Sequence, residues 1–378
     1  MKQNATSDHM YSSYKVPTII IVCSLLFFSG CLHQFSERQI GTPSTMPQPS
    51  QPPFPPEGLR SLTPKAVATL ANLKKVDAYP LYVMHYIGDY DTPGETEVWS
   101  QESDISCSLF VSLGDKGNMI HGRNFDWGRS PALLLFTNPS DGYASISMVN
   151  LRFLDMDLSK VESLEEVPLR DRVELLNTPW LPIDGMNEYG LTVSMAAVHE
   201  SVAGQDSAKK TVGSLSIIRL ILDHARSVDE AVAIFEKHNI DFTEGPPIHY
   251  LIADPTGAAV LIEFCQGEMI LLPNENPWHL ATNHLRCIAV GDGGCQRYRT
   301  MAEKLAKTNG RLDMSAAMNL LSEVSQDSTQ WSVVYGMTSG DVCVAMGRDF
   351  ETILTFRLEE KQTAFSSVMP VISPATHH

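Results

Sequence analysis

The sequence lacks the signatures of the commonest cofactor chemistries. No HExxH, CxxC or paired Cys/His spacing occurs, so neither a structural nor a catalytic zinc site is expected. There is no P-loop and no dinucleotide fingerprint; GDGGC at 291–295 has neither the required spacing nor a strand before it. A GxSxG elbow is also missing, which removes the serine hydrolases built on it. Positive charge is scarce. The 28 Lys and Arg face 44 Asp and Glu for a net charge of −16, and phosphate binding needs the opposite balance, so nucleic acid is excluded as a partner. No internal repeat is found. No metal or organic cofactor is called for.

What is present is ordinary globular material with an unusual start. The chain has 378 residues, 43% hydrophobic and 19% charged, enough for one large domain or two ordinary ones. Residues 19–28 are apolar apart from Ser24, too short for a span of roughly 20 residues. The run ends FFSGC, with Gly30 before Cys31. A short apolar region closed by small residues is expected to be a secretory signal over 1–31. It also resembles a bacterial lipoprotein lipobox, with Phe28 in place of the usual Leu. That resemblance implies export to the cell envelope and a lipid anchor to the membrane at Cys31. A plain signal or an uncleaved anchor is the alternative. Seven of the 23 prolines lie in 43–56, so 32–60 is expected to be an extended linker.

From about residue 61 the pattern becomes globular. SLTPKAVATLANLKKV has the period of a helix, and PLYVMHYIGDY has the aromatic content of a strand. Residues 107–113 and 119–124 are expected to form a hairpin around Asp115-Lys116-Gly117-Asn118. Residues 190–198 alternate as a strand. Helices are expected over 214–226, from a Ser227/Glu230 capping box to about 237, and over 297–307 and 315–324. A meander is expected over 250–253, 258–264 and 268–272, and closing strands over 332–335, 342–345 and 352–358. Strands and paired helices without βαβ alternation indicate an α+β fold of antiparallel sheets covered by helices.

The chemistry-bearing residue is Cys107. The other cysteines are 23, 31, 265, 287, 295 and 343; Cys287 and Cys295 are either a disulfide or, following the usual burial of free cysteine, two thiols. A cysteine is a nucleophile only as its thiolate and needs a base or positive neighbours. His121, His249, His279 and His284 are all candidates, and spacing selects none of them. A chain cut before Cys107 solves the problem differently. The new α-amine, with an unperturbed pKa of about 7.7–8.0, takes the thiol proton itself. Residues 61–106 would then be a pro-segment, or α-chain, and 107–378 the catalytic domain, or β-chain.

Cys107 heads an apolar strand that turns back into Gly122, Arg123, Asn124, Asp126 and Trp127. This order resembles the choloylglycine hydrolase, acid-ceramidase-like and penicillin acyltransferase branch of the N-terminal-nucleophile (Ntn) hydrolases. Four further segments agree in order: DGMNEYGLTVSM from Asp184, ATNH at 281–284, GCQRYRTM around Arg297, and TQWSVVYG at 329–336. Gly294 and Gly336 depart from the Ser and Asp usual at their positions. The resemblance implies a four-layer αββα sandwich with two stacked antiparallel sheets and no cofactor. It implies hydrolysis of a linear amide C–N bond in a small N-acyl substrate through a thioester at Cys107. Arg123 would favour the thiolate, Asp126 would orient the α-amine, and Asn187 would donate to the oxyanion. Asn283 would position the substrate amide and Arg297 would stabilise the tetrahedral centre. The acyl group stays open among bile-acid conjugates, N-acylethanolamines, penicillin V-like amides, N-acyl amino acids and acyl-homoserine lactones. Loops around 133–143, 151–180 and 244–249 are expected to shape its pocket, and the oligomeric state is open. An acyltransferase on the same site and a non-catalytic binding lipoprotein are the two alternatives.

Overall fold

The computed structural model describes residues 62–90, 106–154, 156, 158–243, 247–289 and 291–358. The expected signal, Cys23, Cys31, the proline-rich linker and most of the link from 90 to Cys107 lie outside them. Among the described residues no helix is long and apolar enough to cross a membrane.

The first element is α1 (Pro64–Ala71), opened by proline in its first turn and by Thr63, whose hydroxyl accepts from Ala66 N at 3.1 Å. The helix expected to run through LKKV stops there. Lys74–Asp77 is instead strand β1, drawn into register with β2 (Leu81–His85) by the pairs Lys74–Val83 and Lys75–Tyr82. Next come β3 (Ser106–Ser112) and β4 (Ile120–Asp126). Their turn closes through Asn118 N to Asp115 O at 3.0 Å and Gly117 N to the Asp115 carboxylate at 3.0 Å. Gly122 is fixed by packing: a Cβ there would lie 2.5 Å from the Phe110 ring on the neighbouring strand.

The middle of the chain gives β5 (Ala132–Thr137), β6 (Ser145–Asn150), the short helix α2 (Leu158–Val161) in a stretch of 3-10 turns, β7 (Pro182–Asn187) and β8 (Thr192–Ala197). Of residues 133–143, expected as a pocket loop, 133–137 belong instead to the buried strand β5, paired on both edges, while 138–143 form no strand or helix. Then follow β9 (Lys210–Gly213), α3 (Ser216–His224), α4 (Val228–Glu236), β10 (His238–Asp241), β11 (Ile248–Ala253), β12 (Ala259–Cys265), β13 (Glu268–Pro273) and β14 (Trp278–Ala281). The chain closes with α5 (Gln296–Thr308), α6 (Met314–Glu323), β15 (Thr329–Gly336), β16 (Asp341–Met346) and β17 (Leu354–Arg357). Ser227 caps α4 by accepting from Glu230 N at 3.3 Å. Glu230 does not return to the cap; it takes Arg226 N at 2.7 Å, one residue earlier.

Two sheets form the centre. One has nine strands in the order β1-β2-β5-β6-β7-β8-β11-β12-β13, the other six in the order β14-β3-β4-β15-β16-β17. All pairings within them are antiparallel except β2 with β5. Strand alternation assigns the faces. Leu109, Val111, Phe125 and Val333 of the six-stranded sheet join the core shared with the nine-stranded sheet. Phe110, Ile120 and Val334, one residue out of phase, join the separate core under α5 and α6. Helix α3 packs on β7 and β8, across the other sheet. The result is the expected α+β sandwich of four layers, αββα. β2, from before Cys107, is an integral strand with Leu81, Tyr82 and Met84 fully buried.

Candidate active site

Cys107 is the second residue of β3, fully buried and facing the space between the sheets. Arg123 and Phe125 stand on the same face of β4, where Leu109 pairs with Arg123 and Cys107 with Phe125. Arg123 Nη2 donates to Cys107 Sγ at 3.4 Å. Its Nη1 donates to Asp184 of β7 on the opposite sheet, and the Tyr335 hydroxyl donates to the other Asp184 oxygen. The guanidinium also lies 4.9 Å from the centre of the Phe125 ring, which stacks on Trp331. Arg123 Nε has no hydrogen-bond partner among the described residues. Burial works against the Arg123 charge, but Cys107 and Asp184 outweigh it and raise the pKa. Burial also pushes the Cys107 thiol up, against the pull of Arg123. In the uncut chain the thiol therefore has positive neighbours and needs a base.

The backbone of Cys107 is held as firmly as its sulfur. Its N–H donates to Asn283 Oδ1 at 2.8 Å. Arg297, in the first turn of α5, donates from Nη1 to Cys107 O and to Ser108 Oγ, and from Nη2 to Asn283 Oδ1 at 2.9 Å. Asn283 Nδ2 donates to Ala197 O at 2.9 Å, which ties the loop after β14 to the end of β8. Asp126, the last residue of β4, pairs across from Ser106, the residue on the other side of the expected cut. Its carboxylate accepts from Gln326 Nε2 at 2.7 Å and Thr329 Oγ1 at 2.5 Å, with Arg297 Nη1 at 3.7 Å. Burial raises its pKa against these contacts.

The structure thus brings together Cys107, Arg123, Asp126, Asn283 and Arg297. It does not bring Asn187 to them. Asn187 is buried on the other face of β7, where its Nδ2 donates to Leu222 O at 3.1 Å and Ala225 O at 2.7 Å at the end of α3. Its Oδ1 accepts from Tyr189 N and Leu191 N in the β7–β8 turn. The cause is strand parity: residues three apart on a strand point to opposite faces, so Asp184 faces Arg123 and Asn187 faces the helix layer. Asp184, Tyr335, Ser108, Gln326 and Thr329 were not singled out from the sequence. Asp184 and Tyr335 stand inside quoted motifs, and alternation along β7 puts Asp184 and Asn187 on opposite faces without saying which face meets Cys107. Asn187→Ala is expected to cost ~1–3 kcal/mol of stability by orphaning buried carbonyls. Processed protein should keep its kcat, as a denaturant midpoint and a rate measured together would show.

The four histidines have partners elsewhere. His121 lies between Thr192 Oγ1 and Ser194 Oγ at 2.8 and 2.7 Å, and burial, helped by Arg123, lowers its pKa to about 3. His249 meets Glu263 and Thr282 O, His279 donates to Leu272 O, and His284 meets Thr282 Oγ1. Cys287 and Cys295 are free thiols, as are Cys107, Cys265 and Cys343. Among the described residues no group of His, Cys, Asp and Glu is arranged to hold a metal ion.

Comparison with known proteins bears on the fold and the family. Residues 177–363 match the family described as acyl-coenzyme A:6-aminopenicillanic acid acyl-transferase, a stretch that contains Asp184, Asn283, Arg297 and Tyr335 but not Cys107. An uncharacterized protein of Paramecium bursaria Chlorella virus 1 is 27% identical over 186 residues, 47% of this chain and 55% of that protein. The chain thus spans about half the length of the curated relative it matches. A conjugated bile acid hydrolase from Clostridium perfringens has the same fold at 14% identity and a TM-score of 0.50, covering 71% of this chain and 97% of its own. A penicillin V acylase from Agrobacterium tumefaciens is also 14% identical, with a TM-score of 0.44 over 66% of this chain and 91% of its own. The family match over 177–363 and the sandwich shared with the bile acid hydrolase agree with the motif order and support the N-terminal-nucleophile linear amide hydrolase family, of choloylglycine hydrolase and penicillin acyltransferase type.

Proposed function

We propose that the chain hydrolyses a linear amide bond in a small N-acyl substrate, with Cys107 as nucleophile after a cut before it. The observation that carries this reading is the treatment of Cys107 itself. Its Sγ, N and O are each engaged, by Arg123, Asn283 and Arg297 respectively. Any buried strand residue needs partners for its N–H and C=O, but a structural cysteine does not need a guanidinium, itself held by a buried carboxylate, against its sulfur. Once the Ser106–Cys107 bond is broken, the α-amine takes the thiol proton and the thiolate attacks the substrate carbonyl carbon. The tetrahedral intermediate expels the amine, which receives the proton from the α-ammonium. Water then attacks the thioester with the α-amine as base and releases the carboxylic acid.

The residues near Cys107 divide this work. Arg123 stabilises the thiolate and is kept charged and aimed by Asp184 and Tyr335. Asp126 supports the ammonium form of the α-amine. Arg297 and Asn283 hold the Cys107 backbone, Asn283 through its Oδ1 while its Nδ2 donates to Ala197 O. Export with a lipid anchor at Cys31 is carried as part of the proposal and rests on residues 1–31 alone. The matched family is one of acyl transfer, which supports a second reading in which an amine replaces water at the thioester.

Phenoxyacetyl and lauroyl p-nitroanilides test the reading. Cut protein should release p-nitroaniline and free acid, and an added amine should divert acyl groups only if transfer operates. Cut, folded protein that releases no p-nitroaniline from these or from a wider amide panel would contradict amide cleavage and leave a binding module.

A further inference from the structure

Glu263 is the single acidic residue in the apolar strand β12, AVLIEFC, and it is fully buried. One carboxylate oxygen accepts from Arg286 N at 2.8 Å and faces His249 Nδ1 at 3.2 Å. The other accepts from Cys287 N at 2.8 Å. His249 is itself fully buried on β11, with Nε2 donating to Thr282 O at 2.8 Å. Nε2 thus carries a hydrogen for the Thr282 carbonyl, and Nδ1 faces the carboxylate. Thr282 and Arg286 flank Asn283, in a segment after β14 that has no strand or helix of its own. An irregular segment needs its backbone groups satisfied from outside, and here a single carboxylate meets two of them directly and a third through His249.

We propose that Glu263 is a positioning residue: through His249 and the backbone of 282–287 it fixes Asn283 against the Cys107 nitrogen. This rests on the reading of Cys107 as the nucleophile. Burial opposes the Glu263 charge, but the His249 contact and the two backbone N–H groups outweigh it and hold the carboxyl at about 2, so it is ionised throughout the working range. Other groups that act on this cluster are the Cys287 thiol, pushed up to about 12 by burial and by its contacts with Cys265 and Glu263, His279, lowered to about 4 by burial, His284, lowered by burial, Tyr298, raised by burial, and Arg286, which donates to the His279 ring. His284 is the chain neighbour of Asn283, and its ring turns to Thr282 Oγ1. Asn283 accepts from both Cys107 N and Arg297, so a small displacement of its loop moves two contacts of the nucleophile at once. A misplacement of about 1 Å from outside the reacting groups costs on the order of 10²-fold in rate.

The test uses Glu263→Gln and the double variant Glu263→Gln/His249→Gln, which replaces both side chains of the pair with neutral amides and leaves no buried carboxylate unpaired. Each is checked by intact mass for the cut before Cys107 and assayed with the p-nitroanilide that wild-type protein turns over. The expected result is a fall in kcat of about 10²-fold with KM unchanged, by the same factor in both variants because the two side chains act through one contact. A cut, folded variant with wild-type kcat overturns the proposal. So does a loss that merely tracks the fraction folded, or failure of both variants to fold, since Glu263 would then serve stability alone. Turnover by Cys107→Ala would instead overturn the nucleophile and leave the Glu263 result to be judged apart.

Discussion

Cys107→Ala is expected to give an intact chain with no amide turnover. Two losses come from one atom. The thiol is the group that attacks the substrate, and it is also the group placed to attack the peptide bond before it. Removing a nucleophile of this kind costs on the order of 10⁶ in rate. The fold should survive, because Ala fits the β3 position and the buried Arg123 keeps Asp184 as partner. Intact mass and p-nitroaniline release on the same sample check both losses; turnover by the uncut Ala variant would exclude this mechanism. In wild-type protein the upstream piece should remain bound after the cut. Strand β2 pairs with both β1 and β5 inside the nine-stranded sheet. Tyr82 donates to Val161 O at 2.8 Å, and Tyr90 to Asp223 at 2.5 Å. Separating residues 62–90 would expose Leu81, Tyr82 and Met84, so the pieces should part only on denaturation.

Asp126→Asn should lower the acylation rate by a factor of about 10²–10⁴, the range of a general-base contribution. The substitution keeps the size of the side chain and removes the charge that supports an α-ammonium. The structure adds a reason for care in reading it: Asp126 also accepts from Gln326 and Thr329 and lies 3.7 Å from Arg297. A thermal midpoint must therefore accompany the rate. His121→Gln and His279→Gln are the comparison. Burial lowers these two rings to about 3 and about 4, so both are neutral above those values and their charge cannot shape a profile between pH 5 and 9. Single-turnover acylation on mass-checked protein separates the cases. If either histidine variant, cut and folded, loses as much as Cys107→Ala, the α-amine is not the base. His249 is left out of that comparison because it holds Thr282 O.

Much of the fold could be read where local pattern and tertiary context agree. The β3–β4 hairpin follows from two apolar runs around an Asp-Lys-Gly-Asn turn, α4 from its Ser227 cap, and β11–β12–β13 from short runs at hairpin spacing. The misses have physical causes. ALLLFT does not alternate because β5 is covered on both faces, and a short unbroken apolar run carries no period. LKKV continues the amphipathic pattern of α1, but its pairing with β2 overrides helix propensity. At the site, Cys107 and Arg123 come together as expected because the hairpin fixes their separation. Asn187 lies apart, against the end of α3, because motif order says nothing of which face a residue takes. Glu263 went unnoticed although a lone carboxylate in an apolar strand is itself a signal, since a buried charge needs partners and those partners are distant in sequence.

The central claim is that Cys107 becomes an N-terminus. Intact-mass analysis and N-terminal sequencing of wild-type protein that is turning over a p-nitroanilide test it directly. The account predicts one polypeptide beginning at Cys107 and running to the C-terminus, co-purifying with an upstream piece that contains residues 62–90. Fully active protein in which Cys107 is still joined to Ser106 would contradict it.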